Sequence, residues 1–104
     1  MKNINKDEFI EKMTNYLPTF RVKLGLTQEE LGKIVGVSKY TILGMERHQR
    51  KMSWGTFLSL ILVFQKNDDT NAMLDLFQIY TNELNEYLSL QKNDACPAKE
   101  AVIL

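Results

Sequence analysis

Residues 27–47 read TQEELGKIVGVSKYTILGMER, and the rest of the chain is best understood outward from them. Thr27 followed three residues later by Glu30 is a capping box: the hydroxyl takes one orphan amide and the carboxylate reaches back to another. Leu31, Ile34 and Val35 recur at helical spacing, so a short amphipathic helix follows. Gly36 stops it, because glycine enters the left-handed conformation without steric cost. Ser38 caps a second helix, from which Ile42 and Met45 face inward. Gly32, a small residue in mid-helix, lets the second helix cross closely over the first. Two short helices joined by a glycine-led turn form a helix-turn-helix. The second helix then presents Lys39, Tyr40, Leu43, Gly44 and Arg47 on its exposed face, a surface suited to a DNA groove.

Upstream, Asn5 with Glu8 forms a second capping box, and Asp7 adds negative charge to a first helical turn where the macrodipole favours it. Phe9, Met13, Tyr16 and Phe20 mark one face. Pro18 predicts a break near residues 15–17 and a fresh start with proline in the first turn. The segment 5–15 is therefore expected as an extra helix ahead of the domain. Phe20, Val22 and Leu24 belong to the first domain helix, which Gly25 ends.

Downstream, residues 48–52 (HQRKM) form a basic linker without periodic pattern. Ser53 caps a helix whose Trp54, Phe57, Leu58, Ile61, Leu62 and Phe64 make it apolar around most of its circumference. This is the expected centre of the core, with Leu31, Ile34, Ile42 and Met45 as neighbours. Residues 65–71 (QKNDDTN) have polar loop chemistry. From Ala72 a long helix to about Leu90 carries Met73, Phe77, Tyr80, Leu84 and Tyr87 at alternating steps of four and three. After Lys92 the pattern fades, Pro97 intervenes, and the tail ends AVIL. The expected architecture is all-α: a compact helical bundle with a central helix-turn-helix, an extra N-terminal helix (1–16) and a helix-turn-helix domain (17–66). A long C-terminal helix with a tail (67–104) completes it.

The 104 residues hold one domain, with no room for a separate ligand-binding module. The longest apolar run, near Phe57–Phe64, is far too short to span a membrane, and no signal peptide opens the chain. A single cysteine, Cys96, forms no internal disulfide, so a reducing cytoplasm is expected. Formal charge is zero overall, yet residues 20–66 carry eight Lys/Arg against three Asp/Glu. Residues 67–104 carry two against seven. A basic DNA-facing unit with an acidic appendage has this distribution.

On Gln28, Gly32, Gly36, Val37, Ser38, Ile42, Met45 and Glu46 the sequence resembles the phage-repressor (Cro/CI-like, XRE) helix-turn-helix regulators, over about residues 17–64. The resemblance implies a DNA-binding transcriptional regulator. Base readout then falls to Lys39 and Tyr40 at the start of the recognition helix, followed by Leu43 and Gly44. Lysine donates to guanine O6 and N7; the tyrosine ring or hydroxyl meets a thymine methyl or a phosphate. Phosphate contacts are expected from Gln28, Ser38, Thr41, Arg47, Arg50 and Lys51, with Gln28 aided by its helix N-terminus. Gly44 departs from the family, which usually has a polar side chain there; either the backbone approaches DNA closely or the position reads nothing. His48 stands where the family has glycine, and reads as a helix-end cap or a phosphate neighbour. The resemblance also implies an ion pair between Arg21 and Glu46, tying the first domain helix to the recognition helix.

One histidine and one distant cysteine make no metal site, and no nucleophile–base set or phosphate-cradling glycine loop is present. Neither an enzyme, a cofactor nor a small-molecule substrate is expected. The reading is a sequence-specific repressor that binds a palindromic operator as a homodimer. The alternative is an antitoxin-like protein that binds DNA and neutralises a protein partner; a purely protein-binding use of the fold conflicts with the basic segment. Dimerisation is expected through Phe77, Tyr80, Leu84, Tyr87 and Leu88, since the C-terminal helix carries more apolar side chains than one core-facing stripe requires. A leading helix that folds back over that surplus is the monomeric alternative.

Overall fold

Six side chains in the sequence open six helices, each accepting a hydrogen bond from a backbone amide two or three residues on. They are Asn5, Thr27, Ser38, Ser53, Asn67 and Thr81. Each such cap is worth about 1 kcal/mol against alanine. A computed structural model describes residues 3–89, and these form α1 (Lys6–Lys23), α2 (Gln28–Val35), α3 (Lys39–Glu46), α4 (Trp54–Gln65), α5 (Asp68–Leu76) and α6 (Asn82–Leu88). The described chain is all-helical, as expected. Leu90, Cys96 and the tail lie outside the described residues.

The expected break before Pro18 is absent: α1 is one helix through the proline, and the boundary between residues 16 and 17 falls inside it. Packing explains why. Ile10, Met13, Leu17 and Phe20 are all buried, forming one stripe on both sides of Pro18, while Pro18 itself is only partly covered. Proline in a helix interior costs ~3 kcal/mol, and each large apolar side chain buried contributes ~1.5–3 kcal/mol. The stripe wins. Beyond Leu24 the helix ends as expected at Gly25, φ +71°, where the Leu26 amide donates to the Arg21 carbonyl at 3.1 Å.

At α2 both halves of the capping box form: Glu30 N–H donates to Thr27 Oγ1 at 3.0 Å and Thr27 N–H to Glu30 Oε1 at 2.9 Å. Gly36 adopts φ +83°, and the chain reaches α3 within Gly36–Ser38. Gly32 is required by a close approach, though the partner is the turn and not the next helix. A Cβ on Gly32 would lie 2.6 Å from the Val37 carbonyl oxygen. The buried arc of α2 also differs from the expected one. Leu31 and Gly32 are buried and Val35 partly so, whereas Ile34 is 54% exposed and is not the core neighbour expected. At about 100° per residue, Ile34 stands roughly 100° from the centre of the Leu31–Gly32–Val35 arc.

One core runs from Phe9 to Leu84 and draws on every helix. Phe57, Leu60, Ile61 and Phe64 of α4 line it, and Phe20 stacks on Phe64 with centroids 4.6 Å apart. Leu62, expected inside, is exposed; Met52, in the linker that carried no pattern, is buried.

The C-terminal third differs most from expectation. Residues 65–71 are not a loop. Asn67 caps α5 through the amides of Asp69 and Thr70, and Thr70 turns inward to donate its hydroxyl to the Phe64 carbonyl at 2.6 Å. The expected helix 72–90 is two helices. At Gln78, φ +60°, the Ile79 amide donates back to the Leu74 carbonyl, and Thr81 then caps α6. This bend folds Leu74, Ile79 and Leu84 into the core of the same chain. Helix α1 packs alongside: Tyr16 stacks on Phe77 at 4.1 Å and Lys12 Nζ donates to the Gln78 carbonyl. Lys6 stands over the rings of both Trp54 and Tyr87.

Of the expected dimerisation set, Leu84 is corrected to a core residue, and the other four are partly buried within the chain. Leu84 is 0% exposed. Phe77, Tyr80 and Leu88 pack against the core, Tyr87 meets Trp54 edge-on, and the Tyr80 hydroxyl donates to Asn85 Oδ1. Much of the apolar surface of this segment is thus covered within the chain, while Leu76 stays exposed.

Candidate nucleic-acid interface

Helix α3 begins where Ser38 Oγ accepts the Thr41 amide at 3.1 Å, and its hydroxyl also lies 3.1 Å from Thr41 Oγ1. Both hydroxyls expected at phosphates thus meet each other in the first turn. Ile42 and Met45 are buried and fix which side faces the protein. Lys39 and Tyr40 are exposed, Tyr40 at 71%, while Leu43 and Gly44 are partly covered. Lys39 Nζ stands 5.5 Å from the centroid of the Tyr40 ring, so a cation and an aromatic face share the exposed start of the helix.

Glu46, at the last turn of α3, binds three donors. Arg21 reaches it from α1 through Nε at 2.7 Å and Nη2 at 3.1 Å, and Gln28 reaches it from α2 through Nε2 at 3.0 Å. Arg21 Nη1 also donates to the Leu26 carbonyl at 2.9 Å. One carboxylate therefore ties α1, α2 and α3 together, and the expected Arg21–Glu46 pair is present in bidentate form. Hydrogen bonding to Glu46 raises the pKa of Arg21 above its ordinary value, with the carboxylate's charge adding and burial opposing. Gln28, expected at a phosphate, has one amide hydrogen committed to this brace.

The chain leaves α3 through His48, φ +59°, in the left-handed region where glycine is the usual occupant. The Gln49 amide donates to the Gly44 carbonyl at 2.8 Å and the Arg50 amide to the same oxygen at 3.1 Å. His48 is thus a helix-end residue, the first of its two expected roles. The turn lays the Arg50 side chain over Gly44: a Cβ on Gly44 would lie 3.2 Å from Arg50 Cβ. A side chain at 44 would therefore crowd Arg50, which would have to shift by a few tenths of an ångström.

Lys39, Tyr40 and Leu43 thus lie along α3, with Arg47, Arg50 and Lys51 in the segment that ends it. Arg47 and Arg50 are exposed; Lys51 is exposed but pairs with Asp7 at 2.8 Å. Asp7 is the residue that sequence reasoning missed here, having been placed only as a first-turn charge. The partners are 44 positions apart in the sequence, which gives no local signal of the contact. No helix among the described residues is long and apolar enough to cross a membrane. No protein-family model, curated protein or solved structure matches the chain.

Proposed function

We propose that this chain is a cytoplasmic, sequence-specific DNA-binding regulator of the helix-turn-helix type, with α3 as its recognition helix. The observation that carries the reading is the construction of α3. It is short, capped and anchored by two buried side chains, and its exposed start carries Lys39 and Tyr40. Glu46 braces it to two other helices, which holds those side chains in a fixed place relative to the domain. A preorganised helix of this kind, in the segment where eight Lys/Arg face three Asp/Glu, suits a major groove flanked by phosphates.

In this reading Lys39 and Tyr40 address base edges, while Arg47, Arg50 and Lys51 meet the backbone. Binding over a promoter excludes other proteins, which makes repression the direct consequence. One recognition helix reads only a few base pairs, so a homodimer on a palindrome stays part of the proposal. Its surface is not Leu84.

Selection from random duplex DNA, followed by anisotropy titration of the recovered site, tests the reading. Lys39→Ala is expected to lose ~1–3 kcal/mol on the selected site and to relax preference at one base position. Arg50→Gln keeps the methylene stem over Gly44 but removes the charge, and weakens all duplexes alike with a salt slope shallower by about one. No enriched sequence, or equal losses on all duplexes from both variants, refutes sequence-specific readout.

A further inference from the structure

We propose that Asp7 sets the affinity of this chain for duplex DNA by holding Lys51 in the free protein. The inference rests on the DNA-binding reading above. It begins with the ion pair itself: Lys51 Nζ lies 2.8 Å from Asp7 Oδ1, and the two side chains are 69% and 76% exposed. A pair so exposed contributes little to stability, because water and salt screen it. The leading half of α1 does not require it either, being held by buried Phe9, Ile10 and Met13. Glu8 would still complement the helix dipole if Asp7 lost its charge.

What the pair does is place a carboxylate on a cation of the DNA-facing run. A carboxylate and a phosphate are the same kind of acceptor for an ammonium group. Lys51 can approach a phosphate only by leaving Asp7, or by holding two anions side by side. Glu11, one turn beyond Asp7 on α1, lines the same open cleft as His48, Gln49, Arg50 and Lys51. Two carboxylates at i and i+4 thus face the basic segment that ends α3. The extended α1 is what carries them there, so the added helical length brings a built-in competitor for phosphate.

The experiment measures binding of the full chain to a fluorescein-labelled mixed-sequence duplex between ~50 and ~200 mM KCl, the range over which phosphate contacts dominate the salt response. Asp7→Asn is expected to bind about 2- to 5-fold more tightly, the equivalent of one exposed ion pair. Its log K against log salt should steepen by about 0.9, as one further cation reaches a phosphate. In a Lys51→Ala background the same change should leave the slope alone. Matching thermal unfolding of wild type and Asp7→Asn separates the effect from altered folding. Wild-type affinity and slope in Asp7→Asn overturn this inference and leave the DNA reading intact. A gain of equal size and slope with Lys51 removed overturns it too, because net charge alone then explains the result. A wild-type chain that binds no duplex at the lowest salt overturns both.

Discussion

Replacing Glu46 tests the fold and the site at once. Its side chain is 7% exposed, and the carboxylate takes three hydrogen bonds on two oxygens: Arg21 Nε on Oε2, and Arg21 Nη2 with Gln28 Nε2 on Oε1. Glutamine at this position has one acceptor and one amino group. With the amino group in the Oε2 position it opposes Arg21 Nε; in the Oε1 position it opposes both other donors. Every rotamer that keeps the side chain in place sets donor against donor. Glu46→Gln also leaves Arg21, whose side chain is 16% exposed, without its counter-charge.

Removing one partner of a buried pair costs about 3–5 kcal/mol. Here Arg21 retains the Leu26 carbonyl and some contact with water, so the expected loss is smaller, about 2–3 kcal/mol. For a domain of this size that lowers Tm by roughly 10–20 °C. Urea and thermal unfolding of Glu46→Gln measure it directly. The double variant Arg21→Met/Glu46→Leu removes both charges and should lose less than Glu46→Gln alone. A Glu46→Gln chain within about 0.5 kcal/mol of wild type refutes the reasoning, since that is the ordinary range for surface substitutions.

Leu84→Glu is expected to unfold the whole chain cooperatively, not merely its C-terminal third, because Leu84 shares one core with Phe9 and Phe57; circular dichroism showing a folded residues 1–66 would contradict this. His48→Gly relieves a side chain at φ +59° and should raise stability by about 1 kcal/mol in denaturant titrations; a destabilised variant would mean the imidazole holds a contact worth more than the strain. Gly32→Ala places a Cβ 2.6 Å from a backbone oxygen and should separate α2 from the turn, with a loss above 2 kcal/mol read from the same titrations.

The helix starts were the most legible features, because a cap is a local agreement between one side chain and the amides just after it. Thr27, Ser38 and Ser53 follow that logic without help from the rest of the chain. Asn67 and Thr81 obey it equally, yet went unread: Asn67 sits in a polar run that resembles a loop, and Thr81 interrupts an apolar period that continues across it. The Pro18 break was a local inference overruled from afar. Proline's missing amide acts on one turn, whereas the stripe from Ile10 to Phe20 gains from contacts with other helices. In the site, the Arg21–Glu46 pair came from resemblance and the close contact at Gly44 from neither source. Only the turn at His48 brings Arg50 over that glycine, and no spacing rule predicts a side chain crossing six residues back onto its own helix.

The same tension between local period and global packing decides what the C-terminal third is for. An uninterrupted helix 72–90 would display apolar side chains on two faces, and a second subunit would be the natural cover. The left-handed residue Gln78 instead directs Ile79 and Leu84 into the core, while Tyr16 stacks on Phe77. The long α1 and the bent α5–α6 unit therefore answer each other, since each covers apolar surface the other would leave in water. Any partner, a second copy included, must accordingly dock on surface that this internal closure leaves open. Of the large apolar side chains, those still exposed among the described residues are Tyr16, Val22, Ile34, Tyr40, Leu62 and Leu76. Tyr40 belongs to the face proposed for DNA, so the proposed homodimer would draw on the remaining positions, of which Leu76 alone lies in the expected helix 72–90.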